Sequence, residues 1–443
     1  MSFSSLGLSP ELVRALSDLG YETPTAIQNE AIPLALNGRD LLGGAQTGTG
    51  KTAAFALPML QRLAAGEPRR GARPPRALIL TPTRELALQV HESVRGYGKH
   101  LRHLNSAAIF GGAGMGPQVD ALRRGLDIIV ATPGRLIDHM ERRSVDLSKI
   151  EILVLDEADR MLDMGFLPAI KRILAVLPKQ NRQTLLFSAT FEEAVKQLAQ
   201  QFMRDPVEVQ VSVRNSVVAT VSHRAHPVDN SRKRDLLLDL LAVDSRRQTL
   251  VFTRTKHGAN RLSEQLEKAG IRSSAIHGNK SQGARTKALS DFKNGKCTVL
   301  VATDIAARGI DIEHLPWVVN YDLPTIAEDY VHRIGRTGRN GSTGEAISLV
   351  SPEEGPLLRE IQRLLKQDIE LTVVEGYAPS KPLQMNGSIA AARRPANQSQ
   401  RPPQHARRPH AAPARHAHAG PKRGTSAPSR GGRDGGRRDN GSR

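Results

Sequence analysis

GAQTGTGKTAAF, residues 44–55, is a glycine-rich turn that leads into an apolar, helix-like stretch. A strict P-loop has Gly, four residues and then Gly-Lys-Ser/Thr. Ala45 replaces the first glycine here, whereas Gly50, Lys51 and Thr52 are kept. Backbone N–H groups of such a turn close around phosphates, and the following helix N-terminus favours negative charge. The stretch therefore predicts a nucleotide site in which Lys51 reaches the β- and γ-phosphates and Thr52 contacts Mg²⁺. A glycine turn without function is the weaker alternative.

Strand-like and helix-like stretches alternate on both sides of this turn. Short runs rich in Leu, Ile and Val and bounded by turn signals indicate buried strands. These runs are RALIL (76–80), DIIVA (127–131), EILVL (151–155), QTLLF (183–187), QTLVF (248–252), CTVLVA (297–302), WVVNY (317–321) and EAISLV (345–350). The helix-like stretches include residues 52–65, 84–98, 259–270 and 281–295. Such alternation is typical of parallel sheets with helices on both faces. We therefore expect two α/β halves with a break near residues 205–225.

An acidic tetrad follows the strand candidate EILVL: Asp156, Glu157, Ala158 and Asp159. Ligands of parallel sheets bind at the carboxyl ends of the strands. NTPases hold their metal with an acidic residue placed opposite the P-loop. We therefore predict that Asp156 holds Mg²⁺ and that Glu157 orients and polarises the attacking water. Without the P-loop, a solvated acidic turn would be the default interpretation.

A second candidate phosphate-binding segment is YVHRIGRTGRNG, residues 330–341. Arg333, Arg336 and Arg339 are three residues apart, so they would share a face of a helix. The glycines between them favour a turn instead. A guanidinium donates two parallel hydrogen bonds to a phosphate. The sequence thus predicts one phosphate-binding segment in each half.

Size and composition limit the class of protein. The 443 residues are too many for one core of ordinary size, and two domains of about 200 residues plus a remainder are expected. The single cysteine, Cys297, allows no intrachain disulfide and fits a reducing compartment. No apolar run approaches the length of a membrane span, and MSFSSLGLSPELV lacks the features of a secretory signal. We expect a soluble, cytoplasmic protein.

The net charge of +19 is concentrated near the C-terminal end. Residues 380–443 hold 14 Lys or Arg and 2 Asp, a net charge of +12. This segment has no Phe, Tyr or Trp and is rich in Pro, Gly, Ala and Arg. It cannot bury enough apolar surface to offset chain entropy. We predict a disordered basic tail that binds phosphates, with a solubilising or protein-docking segment as the alternative.

The chain resembles the DEAD-box ATP-dependent RNA helicases over roughly residues 3–370. Residues 156–159 spell DEAD, and nine further motifs stand around it in the order of that family. They are GYETPTAIQ (20–28, the Q motif), AQTGTGKT (45–52), PTREL (82–86), Gly111–Gly112, TPGR (132–135), SAT (188–190), LVFTRT (250–255), ATDIAARGID (302–311) and HRIGRTGR (332–339). Ala45 is usual at its position in this family. Residues 110–127, residues 276–286 and the basic tail resemble the bacterial RhlE-like subgroup.

The resemblance implies two RecA-like domains that bind ATP in the cleft between them. It gives the boundaries 1–31 for the Q-motif region, 32–210 for domain 1, 218–379 for domain 2 and 380–443 for the tail. Arg336 and Arg339 resemble arginine fingers that act when the cleft closes, whereas Arg333 is less certain and is open to a structural role. His332, Ser188 and Thr190 resemble residues that couple the cleft to the DEAD element. The residues implied to bind ATP and Mg²⁺ are Tyr21 and Gln28 at the adenine, Asp311 at the ribose, Asp156 at the metal, and Ala45, Gln46, Thr47, Gly48, Thr49, Gly50, Lys51 and Thr52 at the phosphates.

The resemblance also implies that the strand ends beside the ATP cleft bind RNA. The candidates are Thr83, Arg84, Gly111, Gly112, Thr132, Gly134 and Arg135 in the first half, and Thr253, Arg254, Gly278, Gln282, Arg285 and Thr303 in the second. Such groups suit sugar–phosphate contacts, and 3% aromatic residues leave little room for base stacking. Closure would part a short duplex locally, in ribosome assembly or RNA turnover and with partner proteins of those processes. Two alternatives are an ATP-gated RNA clamp with little unwinding and a DNA translocase. Glu157 and the arginines argue against the first, and the DEAD and Q motifs against the second.

Overall fold

The computed structural model describes residues 2–44, 49–66, 71–101, 103–211, 221–244, 247–307, 315–338 and 344–387. Several predicted site residues lie outside the described segments, namely Ala45, Gln46, Thr47, Gly48, Asp311 and Arg339. The tail from residue 388 onward also lies outside them. The first half (residues 2–211) and the second half (residues 221–387) each contain one seven-stranded sheet. No helix in the described segments is both long and apolar enough to cross a membrane.

The strands are short, and all of their pairings are parallel. In the first half they are β1 (Leu41–Gly44), β2 (Ala77–Leu80), β3 (Ser106–Ile109), β4 (Ile128–Ala131), β5 (Ile152–Asp156), β6 (Gln183–Ser188) and β7 (Val207–Gln210). In the second half they are β8 (Val221–Pro227), β9 (Thr249–Phe252), β10 (Ser273–Ile276), β11 (Val299–Ala302), β12 (Trp317–Asn320), β13 (Gly344–Val350) and β14 (Glu370–Leu371).

Helices connect these strands. In the first half they are α1 (Pro10–Asp18), α2 (Ala26–Leu36), α3 (Lys51–Ala64), α4 (Arg84–Tyr97), α5 (Met115–Arg124), α6 (Pro133–Glu141), α7 (Ala158–Asp163), α8 (Leu167–Val176) and α9 (Glu193–Phe202). In the second half they are α10 (Lys233–Val243), α11 (Lys256–Lys268), α12 (Gln282–Lys293), α13 (Asp304–Ala307), α14 (Ala327–Ile334) and α15 (Gly355–Leu365). Three short 3₁₀ helices lie at Phe3–Leu6, Asn230–Arg232 and Pro352–Glu354.

The two sheets have the same strand order. The first reads β3-β4-β2-β5-β6-β1-β7 and the second reads β10-β11-β9-β12-β13-β8-β14. Each strand of the second sheet thus has the same place as the first-sheet strand whose number is lower by seven, so that β8 corresponds to β1 and β14 to β7. Because all strands are parallel, their carboxyl ends lie along one edge of each sheet, where ligands of such folds bind. The predicted fold class, with two RecA-like parallel sheets flanked by helices, is confirmed.

Both faces of each sheet are buried, as continuous apolar strands require. In β2, Ala77 and Ile79 pack in one apolar core, whereas Leu78 and Leu80 pack in another on the opposite face. In β9, Val251 faces one core, and Leu250 and Phe252 face a second. This two-sided burial explains why Leu, Ile and Val fill the central strands without alternating with polar residues.

The eight predicted strands and the four predicted helices are all present, with ends that differ by at most three residues. The sequence missed several strands whose composition gives no apolar signal. SAAI (106–109) and SSAI (273–276) are the edge strands β3 and β10, and β7 and β14 lie at the opposite edges. An edge strand has one neighbour and partial solvent exposure, so small and polar residues suffice there.

The ordered chain extends beyond residue 380, where the sequence placed the start of the tail. The backbone N–H and hydroxyl of Ser380 donate to the Asp229 carboxylate at 3.0–3.1 Å. Gln384 N donates to the carbonyl of Pro352 at 2.9 Å. Leu383 and Met385 pack against the apolar cluster around α14 and α15. Residues 380–387 therefore belong with the second half.

The sequence predicts that the basic tail binds RNA phosphates, so deleting residues 388–443 should leave both sheets folded but weaken RNA binding. The deletion removes 13 Lys or Arg and 2 Asp, a net charge of +11. Each phosphate contact on a single strand adds about 0.7 to the salt slope, so the RNA concentration for half-maximal ATPase should rise and depend less on salt. RNA titrations at several salt concentrations measure both effects. A full-length variant with these Lys and Arg residues changed to Gln should match the deletion, and curves that superimpose on wild type would refute RNA binding by the tail.

Candidate functional site

The phosphate-binding wall begins where β1 ends and α3 begins. Gly50 lies just before α3 with φ +90°, a conformation that side chains other than glycine rarely adopt. A Cβ at Gly50 would also collide with the amide of Gln28. Lys51 is the first residue of α3 and is 6% exposed. Its Nζ atom makes no hydrogen bond among the described residues. A buried ammonium of this kind requires an anion, and a phosphate would supply it.

Gln28 connects the Q motif to this wall. Its Oε1 atom accepts from Thr25 N at 2.9 Å and its Nε2 atom donates to the carbonyl of Gly50 at 3.1 Å. An amide oxygen has a second lone pair and an amide nitrogen a second hydrogen, so both atoms keep capacity for an adenine edge. Tyr21, the other predicted adenine contact, is 43% exposed and meets the ring of Tyr97 edge-on, with centroids 6.2 Å apart.

The acidic tetrad ends β5 and begins α7, as predicted from its position after EILVL. Asp156 is buried, and its Oδ1 atom has no hydrogen-bond partner among the described residues. Burial raises the pKa of Asp156 to about 7, and the nearby Lys51 partly opposes this rise. Glu157 has φ +55° and ψ +54°. A left-handed backbone at a residue other than glycine costs about 1–3 kcal/mol and is common at active sites.

Asp159 ties the tetrad to the SAT segment. Its Oδ2 atom accepts from Ala189 N at 2.9 Å and from Thr190 N at 3.0 Å. The Ser188 hydroxyl accepts from Asp159 N at 3.3 Å and donates to the carbonyl of Thr190 at 2.7 Å. The structure thus places Ser188 and Thr190, the predicted coupling residues, directly against the tetrad.

Arg333 is buried inside the second half and does not face the phosphate-binding wall. It is 2% exposed and bonds both carboxylate oxygens of Asp304 at 2.5 and 2.8 Å. It also donates to the Asn320 side chain and the Asp322 carbonyl, and it lies over the ring of Phe252. The sequence left Arg333 open to a structural role, and these contacts give it one. Its guanidinium anchors α14 to the second sheet.

The structure brings the two predicted phosphate-binding segments together. One small cleft, which we call the central cleft, is lined by Lys51, Glu157, Asp159, Arg160, Ala189, His332 and Arg336. The first five belong to the first half, and His332 and Arg336 belong to the second. Gly335 ends α14, so the chain turns there and Arg336 lies next to the phosphate-binding wall. Segments nearly 300 residues apart therefore meet at one point.

Polar contacts among the described residues join the halves at two places, one beside the central cleft and one between the predicted RNA-binding residues, which we call the RNA-candidate edge. Arg160, which follows the tetrad, lies 3.4 Å from Asp329 on α14. Glu85 on α4 accepts from Gln282 at 2.9 Å and from Arg285 at 2.7 Å. Both contacts are buried. Arg160, Asp329 and Glu85 could not be found from the sequence, because nothing in a single sequence pairs residues that are 169 or 200 positions apart.

The RNA candidates of the first half cluster after β2, β3 and β4. Thr83 accepts from Leu86 N at 3.2 Å and so begins α4. The next residue, Arg84, lies against Gly111 and leaves no room for a Cβ at Gly112, whose φ is +80°. Arg135 donates to the carbonyl of Ala113 at 3.1 Å. Thr132 precedes α6, and Gly134 lies in its first turn.

The RNA candidates of the second half follow the corresponding strands β9, β10 and β11. Thr253 and Arg254 follow β9, Gly278 follows β10, Gln282 and Arg285 lie in the first turns of α12, and Thr303 follows β11. Arg254 is an ion-pair partner of the buried Glu354 at 2.8 Å. Burial alone would raise the pKa of Glu354, but Lys233 and Arg254 hold it below its usual value. Gln282 and Arg285 serve the contact with Glu85.

The donor set fits a magnesium–nucleotide complex. Magnesium is typically held by one or two protein carboxylates together with substrate phosphates. The described residues contain no cluster of three His, Cys, Asp or Glu that could hold a metal by themselves. Asp156 offers one buried carboxylate with an unpaired oxygen, and Lys51 offers a buried cation nearby. Thr52, the other predicted metal contact, begins the same helix beside Lys51.

Comparisons with known proteins agree with this arrangement. The family model for DEAD/DEAH box helicase matches residues 25–198, and that for Helicase conserved C-terminal domain matches residues 232–341. The chain is 45% identical over 382 residues to ATP-dependent RNA helicase DeaD of Escherichia coli, covering 86% of this chain and 59% of that protein. It is 43% identical over 379 residues to ATP-dependent RNA helicase DeaD of Mycobacterium tuberculosis, covering 86% of this chain and 65% of that protein. The chain therefore spans about three fifths of the length of these curated relatives.

A solved structure shows the same fold. Dbp5 of S. cerevisiae bound to RNA and ADP BeF3 superimposes with a TM-score of 0.73 at 36% identity, over 85% of this chain and 95% of that chain. The RhlE-like subgroup stays a prediction, since these relatives do not distinguish it.

We expect Arg333→Met to destabilise the second half. The change leaves the Asp304 carboxylate and the Asn320 amide without their shared donor. Breaking a buried ion pair costs about 3–5 kcal/mol, and the lower end applies because Asp304 is 24% exposed. Thermal unfolding measures the loss. Arg224→Met is the matched control, because Arg224 pairs with Glu345 at the surface and should change stability by under about 1 kcal/mol. Unchanged unfolding of Arg333→Met would contradict an anchoring role.

Proposed function

Because the chain belongs to the DEAD/DEAH box helicase family, we propose that it is an ATP-dependent RNA helicase. It binds ATP and RNA across the two halves, closes, separates short RNA duplexes locally, and hydrolyses ATP to release the strands. One observation carries the proposal: Lys51 of the first half and Arg336 of the second line the same cleft. Neither half holds a complete site, so nucleotide chemistry requires both.

The first half binds the nucleotide and prepares the attacking water. Gln28 pairs with the adenine edge, and its hydrogen bond to the Gly50 carbonyl connects the adenine contact to the phosphate-binding turn. Lys51 places its buried ammonium on the β- and γ-phosphates. Mg²⁺ held by Asp156 and Thr52 would neutralise charge that develops on the phosphates. Glu157, whose backbone is held in the left-handed region, orients and polarises the water.

The second half completes the site only when the halves meet. Arg336, and with it Arg339, stabilises the negative charge of the transition state as arginine fingers do. His332 contacts the tetrad side of the cleft and transmits closure to Asp159 and the SAT segment. The ribose contact is assigned to Asp311. ATP binding thereby favours the closed arrangement of the two halves.

RNA lies along the strand ends of both sheets. Helix N-termini, glycine N–H groups and arginines suit sugar–phosphate contacts. Contacts to 2′-hydroxyls would separate RNA from DNA. Glu85 joins the first-half and second-half RNA candidates, so RNA bound there spans the closed halves. We assign the protein to the cytoplasm and to RNA remodelling in ribosome assembly or RNA turnover.

Two rates test this function: ATP hydrolysis with and without single-stranded RNA, and strand separation of a short RNA duplex. A helicase shows RNA-stimulated hydrolysis and ATP-dependent separation. Stimulated hydrolysis without separation would favour the RNA clamp. Equal stimulation by DNA of the same sequence would favour a DNA translocase.

We expect Glu157→Gln to bind ATP and RNA but to hydrolyse ATP very slowly. The amide keeps the size of the side chain but cannot accept a proton from water, and general bases typically contribute about 10²–10⁴-fold. Single-turnover hydrolysis and RNA retention in ATP measure the two effects. Near-normal turnover would show that another group orients the water. Glu151→Gln is a control, since that carboxylate pairs with Arg76 away from the cleft.

We expect Arg336→Ala and Arg339→Ala to lower RNA-stimulated turnover far more than ATP affinity. An arginine finger acts mainly in the transition state and is worth about 10³–10⁵ in rate. Steady-state ATPase at saturating RNA separates kcat from KM. A raised KM with unchanged kcat would instead make the altered residue a ground-state contact.

A further inference from the structure

A buried chain of hydrogen bonds ends at the GG loop, residues 110–113. The Gln118 Nε2 atom lies 3.0 Å from the carbonyl oxygen of Phe110, and its Oε1 atom lies 3.3 Å from His139 Nε2. His139 Nδ1 lies 2.7 Å from the Ser144 hydroxyl. Gln118 is 7% exposed and His139 is fully buried. Neither side chain contributes to the central cleft.

The directions of the hydrogen bonds in this chain follow from one acceptor and from the protonation of His139. The carbonyl of Phe110 can only accept, so the NH₂ group of Gln118 must face it. The Oε1 atom of Gln118 then faces His139, whose Nε2 must carry a hydrogen. Burial, with a smaller contribution from Arg135, lowers the pKa of His139, so the ring is neutral near pH 7. Its Nδ1 therefore accepts from the Ser144 hydroxyl.

The hydrogen bond from Gln118 to the Phe110 carbonyl sets the orientation of the peptide between Phe110 and Gly111. A trans peptide is planar, and its N–H points opposite to its C=O. With the Phe110 carbonyl held toward Gln118 on α5, the N–H of Gly111 points away from α5. Arg84, an arginine proposed to contact RNA phosphate, lies against Gly111 and Gly112. The hydrogen bond from Gln118 thus sets the direction of the Gly111 N–H in the part of the loop that Arg84 contacts.

Two residues of α6 hold the GG loop, one at each end of the loop. Arg135 donates to the carbonyl of Ala113. His139, one helical turn further along α6, acts through Gln118 on Phe110. Ser144 ends the chain: its one hydroxyl hydrogen goes to His139 Nδ1, and its backbone N–H donates to the carbonyl of His139 at 2.9 Å. Both ends of the GG loop therefore depend on the helix that begins with the TPGR motif.

We propose that Gln118 and His139 are positioning residues that hold the GG loop ready for an RNA phosphate. Gln118 fixes the peptide whose N–H meets the phosphate, and His139 fixes the amide of Gln118. This inference rests on the proposed RNA-helicase function and deepens its RNA site. Pre-orienting a donor strengthens binding because the loop need not be ordered when RNA arrives.

Four variants test the proposal by their RNA affinity. Gln118→Leu removes both bonds of the amide, and His139→Leu removes the donor that orients it. His139→Gln retains an N–H group near the position of Nε2 and should restore most of the function. Gln183→Leu is the matched control: Gln183 is equally buried, and its amide donates at 2.9 and 2.7 Å to the carbonyls of Ala35 and Arg39. It lies at the start of β6, whereas the GG loop follows the end of β3.

The readouts are binding of a fluorescein-labelled single-stranded oligouridine in the presence of ADP·BeF₃, KM for ATP at saturating RNA, and thermal unfolding. Gln118→Leu and His139→Leu should weaken RNA binding about tenfold, the equivalent of one lost hydrogen bond, with a much smaller change in KM for ATP. His139→Gln should stay within about threefold of wild type, and Gln183→Leu should lose stability without losing RNA affinity. RNA affinities of Gln118→Leu and His139→Leu equal to that of Gln183→Leu would overturn the positioning role. Absence of RNA binding by the wild type would contradict the proposed function, and this inference with it.

Discussion

The ammonium of Lys51 and the carboxylate of Asp156 are both withdrawn from water, and neither Nζ nor Oδ1 has a hydrogen-bond partner among the described residues. Each buried charge is costly unless a compensating charge or donor arrives. A phosphate beside Lys51 and a metal beside Asp156 would satisfy both at once. The first half therefore presents a site with an unpaired donor and an unpaired acceptor, and we propose that a magnesium–nucleotide complex pairs them.

The second half contributes to this site through a scaffold that is itself fully paired. Arg333 satisfies its guanidinium with Asp304, Asn320 and the Asp322 carbonyl. This network fixes the end of α14, and Gly335 then turns the chain so that Arg336 faces the central cleft. Arg333 is thus held inside the second half by these partners. Arg336, three residues later, faces the residues of the first half that line the central cleft. Their identical side chains have opposite roles because their partners differ.

The sequence predicted the parts of the molecule that carry a local signal. A few consecutive residues are enough to recognise apolar strands such as EILVL, the glycine turn before Lys51 and the acidic tetrad after β5. Edge strands such as SSAI do not, because a strand with one neighbour needs little apolar surface. The roles of Arg333 and Arg336 could not be separated, since both stand in the same motif at helical spacing. The bridge from Glu85 to Gln282 and Arg285 carries no local signal, because it arises only when α4 of the first half meets α12 of the second.

Under the proposed function, the two bridges between the halves would couple RNA binding to ATP binding. Arg160–Asp329 lies at the central cleft, and Glu85 with Gln282 and Arg285 lies at the RNA-candidate edge. Each bridge requires the two halves to lie together, so under the proposed function a ligand that favours this arrangement at one place also favours the bridge at the other. Glu85 directly follows Arg84 on α4, which contacts the GG loop. RNA that orders Arg84 would therefore also order the first turn of α4 and its bridge to α12, and the arginine of the second half would be held at the phosphates.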